Sequence, residues 1–536
     1  MLPVQRVMAA VACAAVGLAV PATAQWSSDP SVNLAIADRT ADQVQPKIRS
    51  TSDGGCYISW FDNAGGGYDV YLQRLDPQGY EQWSHNGLLI ANRSYGWTTD
   101  YELTVDADDN AVIAYNDDRS GSDQIGCNKI SPAGTLLWGA TGVLLTNTSE
   151  FVASPRVAVT SDGRIVVGWT QEAGFYLQQL SPDGVPQWAS PTHVLPATGS
   201  YGLSDLKESG AGTVIASWVY STGGYSSPRH LYAQKYSSAG APVWGFAPVI
   251  VFDGGSLQMG YFPRFVPDGS GGAVFGWYDT AGTRNCYVQH VSTSGTQLFP
   301  HNGVAASTLA NRIRLSPDVA YNSATGESFL FWTEANSLQS QWGLYGQKFS
   351  PAGVRAWTNS GVQLLPLTTQ QNAFVKTVVA GTGAIVFYVD DAGAGYLKAF
   401  RLDGAGAVVW PLSPRMICAT LSSKWGVIAA RTPAGMPLVA WADQRVDSGN
   451  IYTQNVKPDG SLGLPALITG DLNCDGQVDF RDINPFVLYL SGNDLWRATY
   501  PTCPPENGDI NLDGVFPSFA DINPFVMLLS GKSSVE

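Results

Sequence analysis

Short apolar runs, each ending in an aromatic residue, recur between residues 40 and 460 at intervals of roughly 54 residues. The markers are Trp60, Tyr115, Trp169, Trp218, Trp277, Trp332, Tyr388 and Trp441. A second run of the type Tyr-x-Gln follows many of them, as at Tyr71 and Gln73, Tyr176 and Gln178, Tyr287 and Gln289, Tyr345 and Gln347, and Tyr452 and Gln454. A turn with Pro or Gly comes next, such as Asp76-Pro77-Gln78-Gly79, and then a Trp. That residue is Trp83, Trp138, Trp188, Trp244, Trp357 or Trp410, with Phe299 in one copy. Another short strand and turn precede each marker, most clearly at 155–169. Each unit therefore reads as four strands joined by hairpin turns, and no long stretch shows a helical period.

Eight such units predict an all-β fold, an eight-bladed β-propeller, with seven blades as the runner-up. The copies around Tyr115 and Tyr388 diverge most. A stacked solenoid would need capping units, and neither end of the array has one. The ends instead suggest a closed ring. The last copy lacks its Trp-bearing fourth strand, while Gln25-Trp26-Ser27-Ser28 resembles Gln82-Trp83-Ser84-His85 of the first. An N-terminal strand completing the last blade would remove two sheet edges.

Trp and Gln at fixed blade positions read as packing and hydrogen-bonding residues between units. The Gly-x-x-x-Trp turns faintly resemble the tryptophan-docking repeats of eight-bladed quinoprotein dehydrogenases, but no vicinal cysteine pair accompanies them. Two residues beyond each marker stand Asp62, Asp117, Gln171, Tyr220, Asp279, Glu334, Asp390 and Asp443. These positions fall on one face. A ring of acids there would bind cations, sugars or a basic partner; the simpler reading is that each acid caps its own turn.

Charged residues are sparse and the net charge is −14, which argues against a nucleic-acid partner. Arg6, the apolar run 7–20 and Ala22-Thr23-Ala24 read as a signal peptide over 1–24, with no transmembrane segment after it. The expected location is secreted, cell-surface or otherwise extracytoplasmic, with a propeller over 25–464 and a small domain over 465–531. Six cysteines remain after residue 24, none in a Cys-x-x-Cys pair. Cys474 lies inside the small domain's first acidic loop and Cys503 just precedes the second, and a disulfide between them would staple it, while Cys56, Cys127, Cys286 and Cys418 stay unassigned. The five His are scattered, and no nucleophile elbow or His-Glu-x-x-His motif appears, so no catalytic residue is assigned.

The small domain carries two acidic loops, each running into Asp-Ile-Asn-Pro-Phe-Val. Alternating oxygen side chains with a Gly form a cage for a hard cation, so Ca2+ is the expected ligand. In the first loop Asp471, Asn473, Asp475, Gln477 (through its carbonyl), Asp479 and Asp482 supply the positions. In the second, Asp509, Asn511, Asp513, Val515 (through its carbonyl) and Asp521 do so, but Asp521 falls one place late and Ser518 stands where Asp479 does. The second site is therefore expected to be weaker. The segment from about 470 to 531 resembles a type I dockerin, a duplicated loop–helix relative of the EF-hand. The resemblance implies calcium-dependent docking to a cohesin-like or cell-surface protein. Phe480 and Arg481, then Phe519 and Ala520, stand where that family commonly places small hydroxyl residues.

The function expected from sequence is a secreted, non-catalytic binding protein. Its propeller would hold a carbohydrate or protein ligand, and its tail would attach it. The alternative is a carbohydrate-active enzyme, a glycoside hydrolase or polysaccharide lyase, with a dockerin-type appendage. That alternative requires two acids converging in a pocket.

Overall fold

The computed structural model describes residues 25–93, 100–280, 284–464, 468–475, 477–500, 503–511, 513 and 515–530. The segment 1–24, read above as a signal peptide, and residues 465–467, where the expected domain boundary falls, lie outside them. The described residues form eight four-stranded antiparallel sheets and a C-terminal region of three α-helices. The fold is an eight-bladed β-propeller.

The first strand of each blade lies innermost: Gln43–Ser50, Glu102–Val105, Val152–Val159, Ser200–Glu208, Phe265–Pro267, Arg312–Asn322, Ala373–Ala380 and Lys424–Arg431. Each packs beside the next, and the eighth returns to the first. The last blade holds Lys424–Arg431, Pro437–Asp443 and Asn450–Asn455, and its outer strand is Leu34–Ala37 from the N-terminus. The first and last parts of the array thus share one sheet, as the repeated Gln-Trp-Ser pattern predicted.

The marker aromatics sit mid-blade and are almost wholly buried. Trp60, Trp169, Trp277, Trp332 and Trp441 stack on the Tyr of the neighbouring strand, with centroids 5.7–6.3 Å apart. The outer Trp residues join blades. The Trp83 indole N–H donates to the Pro132 carbonyl of the next blade, Trp138 to Pro182, Trp188 to Ser238, Trp244 to Thr293, Trp357 to Gly404 and Trp410 to Pro458. Trp26 closes the ring by donating to Pro77 at 2.9 Å. The receiving turn needs glycine. Gly79 has φ +88°, and a Cβ there would lie 2.8 Å from Trp26. The same holds at Gly295, where φ is +82° and Trp244 would be 2.6 Å away.

The repeated glutamines act differently from expectation. Gln73, Gln178 and Gln234 bond the Trp-bearing turn of their own blade rather than the next blade, and Gln347 does so while also donating to the Ala306 carbonyl of the preceding blade at 3.4 Å. Gln454 does the same for the last blade by donating to the Ser27 carbonyl, so it anchors the N-terminal segment.

The tail builds a separate small core from Leu472, Phe486, Tyr489, Trp496, Ile510 and Phe525 around a Cys474–Cys503 disulfide. Its α-helices are Ile483–Ser491, Asn493–Thr499 and Ile522–Leu529. Pro485 lies in the first turn of the first helix, where its missing N–H costs nothing. Cys56, Cys127, Cys286 and Cys418 are free and buried.

Candidate binding groove and tail loops

The ring of acids does not form a shared site. Asp62 accepts the Ala64 N–H, Asp117 the Arg119 N–H, Asp279 the Asn285 N–H and Asp390 the Tyr396 N–H, so each closes a hairpin turn. Glu334 and Asp443 accept the indole N–H of Trp332 and Trp441 at 2.8 and 2.9 Å. Most are buried, and each works inside its own blade. Turn capping decided these positions, and the residues that meet at the centre belong to another strand.

Those residues lie on the innermost strands. A bulge interrupts several of them near their start, with Gln45, Ser154, Ser316 and Phe374 at φ between +49° and +56°. A bulge re-aims the side chains that follow it. Lys47 then reaches Asp100 at 3.2 Å, and Arg156 reaches Asp100 at 2.6 Å. Arg49 reaches Glu102 at 2.6 Å. Arg264 of the fifth blade pairs with both Asp100 and Glu102 of the second, so this contact crosses the middle of the ring. Burial opposes the charge on Asp100, but Lys47, Arg156 and Arg264 outweigh it and hold the carboxyl below its ordinary range. Burial pulls the Lys47 ammonium below its usual value, with Asp100 opposing. The centre is bridged by ion pairs, and its two acids, Asp100 and Glu102, converge on Arg264, which pairs with both. The sequence signal was the Pro-x pattern of the first strands, Pro46-Lys47 and Pro155-Arg156 with Pro263-Arg264 ahead of the fifth.

The strand starts and the hairpins between second and third strands share one face of the ring. Two cavities open there, of about 400 and 360 Å³, and Tyr261 lines both. One side has Tyr201, Tyr225, Phe262, Glu172 and Arg229. The other has Tyr278, Phe374, Asn372 and Lys376. Tyr225 is 79% exposed and Phe374 37%, so ring faces remain open to a ligand. Tyr261 packs against Tyr278 with centroids 4.5 Å apart. The Asn372 side chain is buried, yet neither its amide oxygen nor its amide nitrogen has a partner. A buried orphan amide is costly unless a ligand or water completes it.

At the edge of this groove the carboxyl groups of Glu150 and Glu172 interact, which raises the Glu172 pKa and lowers that of Glu150. The pair is held from below. The buried Trp169 donates to the Gln171 amide oxygen at 3.1 Å, and the Gln171 amide nitrogen donates to Glu150 at 2.7 Å. Gln stands at this ring position because an amide can accept and donate at once, which a carboxylate cannot. Glu172 itself occupies φ +52°, a strained place for a side chain.

In the tail, Asp482 and Asp521 play matching parts. Asp482 accepts the N–H groups of Leu472, Asn473 and Asp479. Asp521 accepts those of Ile510, Asn511 and Ser518. Both are fully buried. The extra residue of the second loop therefore leaves the position of its last acid unchanged, and Ser518 replaces Asp479 as the helix cap. In the second loop Asp509 and Asn511 both accept the Asp513 N–H, at 3.0 Å each. Asp475 and Asp479 both pair with Arg481, at 3.1 and 2.7 Å. Among the described residues no group of three acidic, His or Cys side chains is arranged as a metal site.

No protein-family model and no curated protein sequence matches the chain. Solved structures share the propeller at low identity. An ulvan lyase of polysaccharide lyase family 25 aligns at 11% identity and TM-score 0.44, over 82% of this chain and 97% of that one. A puromycin hydrolase aligns at 11% and 0.41, over 78% and 61%. A Penicillium chrysogenum α-L-arabinanase complexed with arabinobiose aligns at 14% and 0.33, over 58% and 94%.

Proposed function

We propose that the protein is a secreted carbohydrate-binding propeller that holds a glycan chain in the groove on both sides of Tyr261. The observation that carries this reading is the orphan Asn372 amide beside open aromatic faces. Sugar rings stack on aromatics, and vicinal hydroxyls both donate to and accept from an amide. Two cavities meeting at one tyrosine suit a chain better than a single small molecule. The test is affinity electrophoresis through gels carrying different polysaccharides. Tyr261→Ala and Asn372→Leu should each abolish retardation by the glycan that retards the parent protein. Unchanged retardation in both variants rejects the groove.

A second reading, cleavage of the bound chain, is favoured by the Glu150–Glu172 pair. Glu150 raises the Glu172 pKa, the direction a general acid on the groove edge needs. Reducing-end release from the bound glycan, lost in Glu172→Gln, supports it; no release from any retained glycan removes it.

For the tail we propose calcium-dependent attachment to a cohesin-like or other cell-surface protein. The loop spacing and the dockerin resemblance support this. Calcium would have to draw Asp475 and Asp479 away from Arg481. Calorimetry on the full chain and on Asp475→Ala checks it, and absence of uptake by the parent protein ends the proposal.

A further inference from the structure

We infer that the glycan is anionic, and that its carboxylate or sulfate groups are taken by the channel mouth and by Arg229. The inference rests on the groove reading above. At the centre of the ring, which forms the channel mouth, five cations, Lys47, Arg49, Arg156, Lys207 and Arg264, face three carboxylates, Asp100, Glu102 and Asp205. The whole chain carries −14, so this local positive surplus runs against its composition. The mouth is open: the side chains of Arg264 and Asp100 are 39% and 35% exposed. Arg264 follows Phe262 of the groove by two residues, which places the cations beside the aromatic wall.

Arg229, inside the groove, supplies the second point. Its guanidinium donates only to the carbonyl groups of Ser227 and Tyr225, and it has no acidic partner among the described residues. Carbonyl bonds orient a guanidinium without neutralising it. A planar oxyanion answers that geometry in a way a neutral hydroxyl does not. Low-dielectric aromatic walls strengthen such a contact.

The full-length protein is run through gels carrying polygalacturonate, a sulfated galactan or a neutral galactan. Retardation by either anionic polymer, with none by the neutral one, is expected. Which anionic polymer acts tells carboxylate from sulfate. Arg229→Gln breaks no ion pair and should weaken retention about 5- to 10-fold, while Arg264→Gln, checked for folding by circular dichroism, should weaken it as well. Raising salt should shorten retention of the parent protein and less so that of Arg229→Gln. Equal retention on neutral and anionic gels, or an unchanged Arg229→Gln, overturns the anionic inference and leaves the groove reading standing. No retention on any gel counts against both.

Discussion

The propeller and the tail are stabilised in opposite ways. The propeller repeats one arrangement around a ring, so most of its strength lies in blade-to-blade packing. Its outer Trp residues make the same bond at seven of eight seams, and only the Phe299 seam lacks the indole N–H. The tail is too small for that. It relies on one disulfide, two buried carboxylates and a core built around Trp496. Large repeated surfaces tolerate the loss of a single contact; a small stapled unit does not.

The largest expected effect is on the ring. Removing residues 25–37 takes away Trp26, Leu34 and Ile36, all buried, and bares the edge of Asn450–Asn455. At least about 5 kcal/mol should be lost from the burial alone, and the propeller's thermal transition should vanish or broaden. A sharp, unshifted transition would show that the ring is held elsewhere. Replacing Cys474 and Cys503 by Ser should cost the tail about 3 kcal/mol and leave the propeller transition in place. A shift of both would mean the two regions unfold as one.

The two tail loops give a finer test. Asp482→Asn and Asp521→Asn each weaken three charge-assisted bonds to backbone N–H groups, and each should cost about 2 kcal/mol in chemical denaturation of the tail. Equal losses follow from their matched backbone contacts, whereas a much smaller loss for Asp521 would show that its loop is held by other contacts. In the ring, Trp357→Phe removes only the bond to Gly404 and should cost about 1 kcal/mol, since Phe299 already serves at one seam.

The smallest effect concerns His85, which bonds Glu81 and Asp38. Those bonds, led by Glu81, lift its pKa to about 9. A raised imidazole pKa stabilises fully below the unfolded value near 6.5 and loses that contribution as pH rises through about 9. An NMR titration should show the midpoint fall in Glu81→Gln.

Much of this was legible in the chain because repetition amplifies weak signals. Eight copies of an aromatic at one spacing gave the blade number, and the duplicated Gln-Trp-Ser gave the closure. The disulfide followed from where Cys474 and Cys503 stand among the loops. The ligand-facing residues were not legible. The repeated acids drew notice because they repeat, but repetition marks what every blade needs, and here that is a turn cap. Function lies in what blades do not share: Tyr261, Asn372 and Arg229 each occur once, in connections of unequal length. Lys47, Arg156 and Arg264 meet only because bulges and the closed ring bring distant strands to one axis.

That ring closure has a consequence for how the molecule comes into being. The strand Leu34–Ala37 is among the first made and among the last to be placed, because its partner Asn450–Asn455 lies some 400 residues later. Until that partner is available the N-terminal strand has no sheet to join, and the growing array keeps a naked edge at each end. Pairing across such a span is slow. Over that interval the unfinished ring is most exposed to pairing with another copy of itself, and the docking of Trp26 on Gly79 ends it.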